Sequence, residues 1–160
     1  FMLGETKGTS AGGAAEAGKH LRVPGTNPFF FNNDALQGNR FQELLDTMPD
    51  MQIFVMNTGS IGGAVEEGDH AKKITISDSS VVLEGIITDT IEWVEDHDFG
   101  YEVAVLIPGL TDIEKLQPRR LYDRQHRLDE YETIVAQLKI DRRHYLESFD
   151  GLDLAIVASI

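Results

Sequence analysis

The stretch "MQIFVMNTGSIGG", residues 51–63, decides the fold class. Its first part is an apolar run with β-branched and aromatic members, which predicts a buried strand over residues 51–57. The glycines that follow stop the run and predict a loop over residues 59–71. Ligands of α/β proteins bind where a buried strand opens into such a turn. The stretch therefore indicates an α/β fold with a candidate binding loop at residues 57–63, although glycines after a strand also form plain tight turns.

The next stretch, "KKITISDSS" at residues 72–80, adds a second candidate binding segment. Its alternation predicts a short strand over residues 72–77, and Asp78 is a good N-cap for a helix over residues 79–94. Lysines, hydroxyls and the free N–H groups of a helix start suit a phosphorylated or ribose-bearing ligand. A capped helix with two surface lysines explains the same residues equally well, so both interpretations stay open at this point.

Apolar periodicity predicts the remaining elements. Helical spacing predicts one amphipathic helix over residues 34–48 and a longer one over residues 123–149. An apolar run predicts a strand over residues 101–109, and the apolar tail at residues 151–160 is also typical of a strand. The acidic "EDHD" at residues 95–98 indicates a solvated turn.

Length and composition limit the domain organisation. A chain of 160 residues that is 41% hydrophobic can bury a real core within one domain. We expect a single α/β domain over residues 1–160, with a mixed sheet and flanking helices. It divides into a glycine-rich loop region over residues 1–28, an α/β body over residues 29–150 and the apolar tail. Because Phe1 precedes Met2, we expect the chain to be a fragment of a longer protein.

The charge and the residue types exclude several functions. A net charge of −13 would repel a nucleic acid, so no nucleic-acid partner is expected. The absence of cysteine excludes disulfides and thiolate metal sites. No apolar run approaches the length that spans a bilayer, so we expect no membrane partner and a soluble, cytoplasmic protein.

"GGAAEAGKH" at residues 12–20 nearly matches a phosphate-binding loop. Its last position is His20, where the motif needs a Ser or Thr hydroxyl for Mg²⁺. A true phosphate loop lies between a strand and a helix, but residues 4–11 show no strand pattern and Pro24 prevents a following helix. We therefore interpret the match as chance, with Lys19 a loop residue that is solvated or lies near a cleft.

Taken in order, the motifs resemble the C-terminal part of the ATP-type phosphoenolpyruvate carboxykinases. That family has F-L-x-G-x-T-x-K, N-T-G-W-x-G-G, K-R-[IM]-S-[IL]-x-x-T-R-A, L-P-G and D-P-R-N-x-Y in succession. This chain has "FMLGETKG", "FVMNTGSIGG", "KKITISDSSVV" and "LIPGLTDIEKLQPRRLY" in the same order and at similar spacing. The resemblance runs from residue 1 to about residue 150.

The resemblance implies the C-terminal part of a mononucleotide-binding domain in an enzyme that converts oxaloacetate and ATP to phosphoenolpyruvate, CO₂ and ADP. The implied cofactors are ATP, Mg²⁺ and Mn²⁺, and the implied partners are a nucleotide, a small carboxylic acid and the remainder of a longer chain. By position, the family's ATP-contacting residues match Lys73 and Ser79, with Ile74 and Thr75 beside them. The family's phosphate loop and metal ligands lie upstream of the matching part. The resemblance thus assigns no catalytic or metal-binding residue here and implies that the chain alone is inactive.

The chain also departs from the family's motifs. Lys73 stands where the family has an arginine, and lysine cannot make the bidentate contact of a guanidinium. Ser80 replaces the next arginine, Ser60 replaces the tryptophan, and the loop after it is acidic through Glu66, Glu67 and Asp69. Two alternatives therefore stay open. Beside the carboxykinase-like fragment, these are a divergent ATP-dependent kinase of another carboxylic acid and a non-enzymatic domain whose acidic surface contacts a partner protein.

Overall fold

The computed structural model describes residues 1–7, 19–27, 29–30, 33–63 and 70–160. These residues form two compact units. The first unit comprises Phe1–Gln52 and Gln137–Ile160, and the second comprises Ile53–Ala136. Whether both fold as the single domain expected from the length stays a prediction.

The first unit combines a hairpin with helices. Strands β1 (Gly4–Lys7) and β2 (His20–Val23) pair antiparallel, and helix α1 follows over Asp34–Thr47. The expectation that residues 4–11 contain no strand was wrong for β1, because cross-strand pairing forms this strand without an apolar pattern. The core of the unit contains Met2, Leu146 and Leu152.

The second unit holds the remaining strands. Strands β3 (Ser60–Ile61) and β4 (Lys72–Lys73) form one antiparallel hairpin, and β5 (Glu92–Glu95) and β6 (Glu102–Leu106) form another. Its helices are α2 (Ile76–Ile87), a 3₁₀ turn (Ile113–Leu116) and α3 (Pro118–Arg124). Its two core clusters consist of Val82, Ile91, Ala104 and Ile107, and of Tyr122, Tyr131 and Val135.

Helix α4 (Leu128–Glu147) extends from the second unit into the first, and the short helix α5 (Leu154–Ala158) follows it. The helix predicted over residues 123–149 is α4, which starts five residues later, and residues 123–124 belong to the preceding helix α3. The backbone between them turns at His126, which has a positive φ of 57°. The tail that was predicted as a strand is helical instead, because the Asp153 side chain accepts a hydrogen bond from the N–H of Ala155 and caps α5.

Several predicted elements are confirmed with small shifts. The helix predicted over residues 34–48 is α1, the strand predicted over residues 101–109 contains β6, and residues 95–98 lie at the turn between β5 and β6. Helix α2 starts three residues earlier than predicted, because its N-cap is Thr75 and not Asp78. It also ends seven residues earlier, at Ile87, and the last three residues of the predicted helix belong to strand β5. The strand predicted over residues 72–77 is limited to β4.

The strand predicted over residues 51–57 is wrong. This segment has no regular secondary structure, and Val55 is 96% exposed. The mixture of helices and strands agrees with the predicted α/β class. The strands in the described ranges, however, form three separate two-stranded antiparallel sheets and not one mixed sheet.

Of the helices that the structure describes, none combines the length and the apolar character that crossing a membrane requires.

Candidate functional site

The hairpin of β3 and β4 brings the two candidate binding segments together. Ser60 lies opposite Lys73 in the antiparallel register. One residue beyond the strand, the N–H of Ile74 donates to the carbonyl of Gly59 over 3.0 Å. The glycine-rich turn and the lysine run are therefore neighbours in space, although residues 64–69 between them lie outside the described ranges.

The glycine-rich turn is held in place by its own polar groups. The Asn57 side-chain oxygen accepts from the N–H of Gly59 over 2.8 Å, which closes a local turn. Gly62 has φ of +89°, and a Cβ there would lie 2.8 Å from the carbonyl oxygen of His70. Arg127 Nη1 donates to the carbonyl of Gly62 over 3.1 Å. Glycine is therefore required at position 62 by both conformation and space.

The two adjacent lysines of β4 have opposite environments. Lys72 Nζ lies 2.9 Å from Asp112 Oδ2 and 3.0 Å from Glu114 Oε2, and these carboxylates raise the pKa of Lys72. Lys73 is exposed, and its ammonium has no ion pair or hydrogen bond with any residue that the structure describes. Of the two lysines, Lys73 is therefore the one that no described carboxylate holds.

The other three predicted site residues each have contacts within the protein. Ile74 is only 4% exposed, so its side chain belongs to the interior. Thr75 is the N-cap of α2, and its hydroxyl accepts from the N–H of Asp78. Ser79 Oγ donates to the carbonyl of Thr75 over 3.2 Å, which leaves the lone pairs of its hydroxyl available as acceptors.

A carboxylate occupies the start of α2. Asp78 Oδ2 accepts from Lys115 Nζ over 2.7 Å and from the N–H and hydroxyl of Thr75, each over 2.8 Å. These contacts lower the pKa of Asp78 to about 2, and the hydrogen bond from Lys115 has the largest effect. Because a negative charge already interacts with the positive end of the helix dipole, a phosphate has little to gain at this terminus.

Glu114 forms the centre of an adjoining charge network. It is only 5% exposed, and it accepts hydrogen bonds from Lys72 and Arg124. The hydrogen bonds from these two cations lower the pKa of the Glu114 carboxyl, and the one from Lys72 has the larger effect. Sequence reasoning missed this network because Lys72 and Glu114 are 42 positions apart and no local spacing signals their contact.

Metal ligation finds no support in this part of the chain. Among the described residues, no three His, Cys, Asp or Glu side chains lie together in a way that could hold a metal ion. Glu66, Glu67 and Asp69 lie outside the described ranges. The described residues by themselves therefore do not form a site for Mg²⁺ or Mn²⁺.

Within the described ranges, fold and site define a protein of mixed helices and small sheets in which one hairpin carries a glycine-rich turn and a lysine without an ion pair. The chain is similar to the phosphoenolpyruvate carboxykinase (ATP) of Aeropyrum pernix, with 32% identity over 156 residues, which is 95% of this chain and 28% of that protein. The carboxykinase of Ruegeria pomeroyi is 26% identical over 132 residues, or 82% of this chain and 24% of its own length. That of Ruegeria sp. is 28% identical over 125 residues, or 77% of this chain and 23% of its own length.

The comparisons confirm the resemblance that the motifs indicate, and the chain is a relative of the ATP-type phosphoenolpyruvate carboxykinases. No protein-family model matches it. The chain spans about a quarter of the length of the curated relatives it matches.

Proposed function

We propose that the chain is the C-terminal part of a phosphoenolpyruvate carboxykinase-like enzyme and forms one wall of its ATP site. In the proposed reaction, oxaloacetate loses CO₂, the enolate oxygen attacks the γ-phosphorus of ATP, and ADP leaves. Similarity over 95% of the chain supports this assignment. Catalytic residues and the ligands of Mg²⁺ and Mn²⁺ are assigned to the remainder of the longer protein, and a cytoplasmic location is part of the proposal.

The observation that carries the proposal is Lys73, whose exposed ammonium lies beside the turn at residues 57–63 and has no ion pair among the described residues. Phosphoryl transfer depends mainly on positioning and on cations that offset phosphate charge. An ammonium without a carboxylate partner can supply such a charge to a nucleotide. The neighbouring Lys72 cannot do so without leaving Asp112 and Glu114.

The start of α2 determines how the nucleotide is oriented in this proposal. A phosphate near Asp78 would meet a carboxylate, whereas a ribose hydroxyl can donate a hydrogen bond to one. We therefore assign the phosphates to Lys73. The base or ribose is assigned to Ser79 and to the backbone of residues 73–75.

Calorimetric titration of the full-length protein with MgATP tests the role of Lys73. The variant Lys73→Ala should bind about 10-fold more weakly, since loss of one favourable charge contact is worth roughly 1.4 kcal/mol. The matched control is Lys19→Ala, which removes the exposed lysine of the sequence that mimics a phosphate loop. Its affinity should equal that of the wild type.

Two results would contradict this assignment. Equal affinity of Lys73→Ala and the wild type would favour the non-enzymatic alternative. Weaker MgATP binding by Lys19→Ala than by the wild type would mean that the stretch resembling a phosphate loop binds the nucleotide. The 160-residue chain alone should be inactive and bind ATP weakly, and tight binding by it would also contradict the proposal.

A further inference from the structure

The 3₁₀ turn at Ile113–Leu116 binds both ends of the segment that carries the predicted site residues. At the first end, Lys72 Nζ lies 3.0 Å from Glu114 Oε2. At the other end, Lys115 Nζ donates to Asp78 Oδ2 over 2.7 Å. Two neighbouring residues of the turn therefore hold the beginning and the end of one short segment of the chain.

The order of the charges favours a single alignment of the segment on the turn. The segment begins with the cation Lys72 and ends with the anion Asp78, whereas the turn carries the anion Glu114 before the cation Lys115. Glu114 is buried, and the other three side chains are partly buried. Water and salt screen such pairs less than exposed ones, so a misaligned pair of like charges would be unfavourable here.

Strand β4 does not by itself determine which of its lysines faces outward. It consists of Lys72 and Lys73 alone, which lie opposite Ile61 and Ser60 of β3. A slip of the strand by one residue would turn each side chain to the other face. Lys73 would then face the carboxylate of Glu114. The turn opposes this slip, because the slip would also break the ion pair at the other end of the segment.

The turn itself is attached to the core of the second unit. Ile113 and Leu116 pack against the core cluster around Val82. Directly after the turn, Gln117 Nε2 donates to the carbonyl of Ala104 in β6 over 2.8 Å. The contacts of the turn therefore connect the segment from residue 72 to residue 78 with packed interior residues.

We propose that the 3₁₀ turn fixes the register of β4 and thereby directs Lys73 toward the nucleotide, with Glu114 and Lys115 as positioning residues. This inference rests on the proposed function, which assigns Lys73 to the phosphates of ATP. Glu114 and Lys115 are ion-paired with the segment and act on the nucleotide only through it.

MgATP titration of a double-mutant cycle in the full-length protein tests this role. Lys115→Met removes the ion pair with Asp78 but keeps a long side chain, and it should weaken MgATP binding about 5-fold. In a protein that already carries Lys73→Ala, the same substitution should have no further effect, because the residue through which it acts is missing. A general defect of the fold would instead weaken binding in both backgrounds.

Three further variants complete the cycle. Lys115→Arg should restore most of the affinity, because a guanidinium also pairs with a carboxylate. Glu114→Gln tests the other end of the segment and should give the same pattern as Lys115→Met, which keeps the test open if Lys115→Met does not fold. Glu132→Gln removes an ion pair with Arg119 in the same unit and should leave MgATP affinity unchanged.

Hydrogen exchange without nucleotide measures the register directly. The N–H of Ile74 donates to the carbonyl of Gly59 over 3.0 Å, next to the two pairs of β3 and β4. This amide should exchange faster in Lys115→Met than in the wild type, because the segment is then held at one end only. The amides in the middle of α4 serve as the internal standard and should exchange equally in both proteins.

The outcomes separate this inference from the proposed function. The expected result is a loss of affinity that occurs only where Lys73 is present, together with faster exchange at Ile74. Wild-type affinity of Lys115→Met, an equal loss in both backgrounds or unchanged exchange at Ile74 would overturn the inference, while weaker binding by Lys73→Ala would still support the proposed function. Wild-type affinity of Lys73→Ala would contradict the proposed function and, with it, this inference.

Discussion

At the scale of single residues, the adjacent side chains of Lys72 and Lys73 lie in different environments. Lys72 is bound by two carboxylates, whereas Lys73 next to it has no ion pair with any residue in the described part of the chain. The alternation of a strand explains the difference, because successive side chains point to opposite faces. The sequence shows two lysines, and only the pairing with β3 and the position of Glu114 distinguish them.

Glu114 provides a test of the charge network. The variant Glu114→Gln removes the negative charge of a buried carboxylate. That carboxylate accepts hydrogen bonds from Lys72 and Arg124. Because the donors then lose an ionic partner, we expect the free energy of unfolding to fall by about 2 kcal/mol. Urea unfolding monitored by circular dichroism measures the change.

The control for this measurement is Glu132→Gln. Glu132 forms an ion pair with Arg119 at 3.1 Å, but its side chain is 54% exposed. Water screens such pairs, so the change should stay within about 0.5 kcal/mol. If the two substitutions lowered the free energy of unfolding equally, burial of Glu114 would not make its ion pairs more stabilising than an exposed pair.

At the scale of elements, the capping box of α2 leads to a pH dependence. The folded-state pKa of Asp78 is lowered from 3.8 to about 2, so its charged form stabilises the folded state. This contribution is complete above the unfolded value and is lost as the pH falls through the folded value. The Tm difference between the wild type and Asp78→Asn should therefore be constant above about pH 5 and shrink between pH 4 and pH 2.

Thermal unfolding followed at the helix signal, at pH 7 and near pH 2.5, measures this difference. Asp46→Asn, an exposed position in α1, is the control for general effects of acid on the fold. If the Tm difference for Asp78→Asn were the same at both pH values, the Asp78 carboxylate would not stabilise α2 through its charge.

The elements also show what the sequence could predict. Helix α1 was predicted almost to the residue, because an amphipathic pattern and Pro49 define it locally. The start of α2 was misplaced by three positions because Thr75 and Asp78 are both good caps, and the reciprocal hydrogen bonds decide between them. The strand at residues 51–57 failed because a strand depends on a partner, which periodicity cannot supply.

In the candidate site, too, the sequence indicates the local chemistry but not the contacts between distant residues. The two segments at residues 57–63 and 72–80 were identified from local chemistry, and strands β3 and β4 of these segments pair in one hairpin. The internal partners of Thr75 and Ser79, and the carboxylate of Asp78 at the start of α2, follow from three-dimensional contacts. The roles of Lys73, Ile74, Thr75 and Ser79 toward a nucleotide remain predictions.

At the scale of the whole molecule, the main finding is the incomplete overlap with the relatives. The chain is similar to them over most of its own length and to about a quarter of theirs. Within the described ranges it also exposes large apolar side chains, among them Val55, Ile76 and Ile87. The proposal that the chain belongs to a longer enzyme rests on the partial overlap with the relatives.

An activity assay of the full-length protein tests the central claim most directly. With oxaloacetate, ATP, Mg²⁺ and Mn²⁺, we predict that phosphoenolpyruvate, CO₂ and ADP form in equal amounts, and that Lys73→Ala lowers kcat/KM by about 10-fold. Parallel reactions with other carboxylic acids identify a divergent kinase if one of them is phosphorylated in place of oxaloacetate. Phosphoenolpyruvate formation that requires ATP would be the predicted result, and its absence in a correctly folded protein would contradict the proposed function.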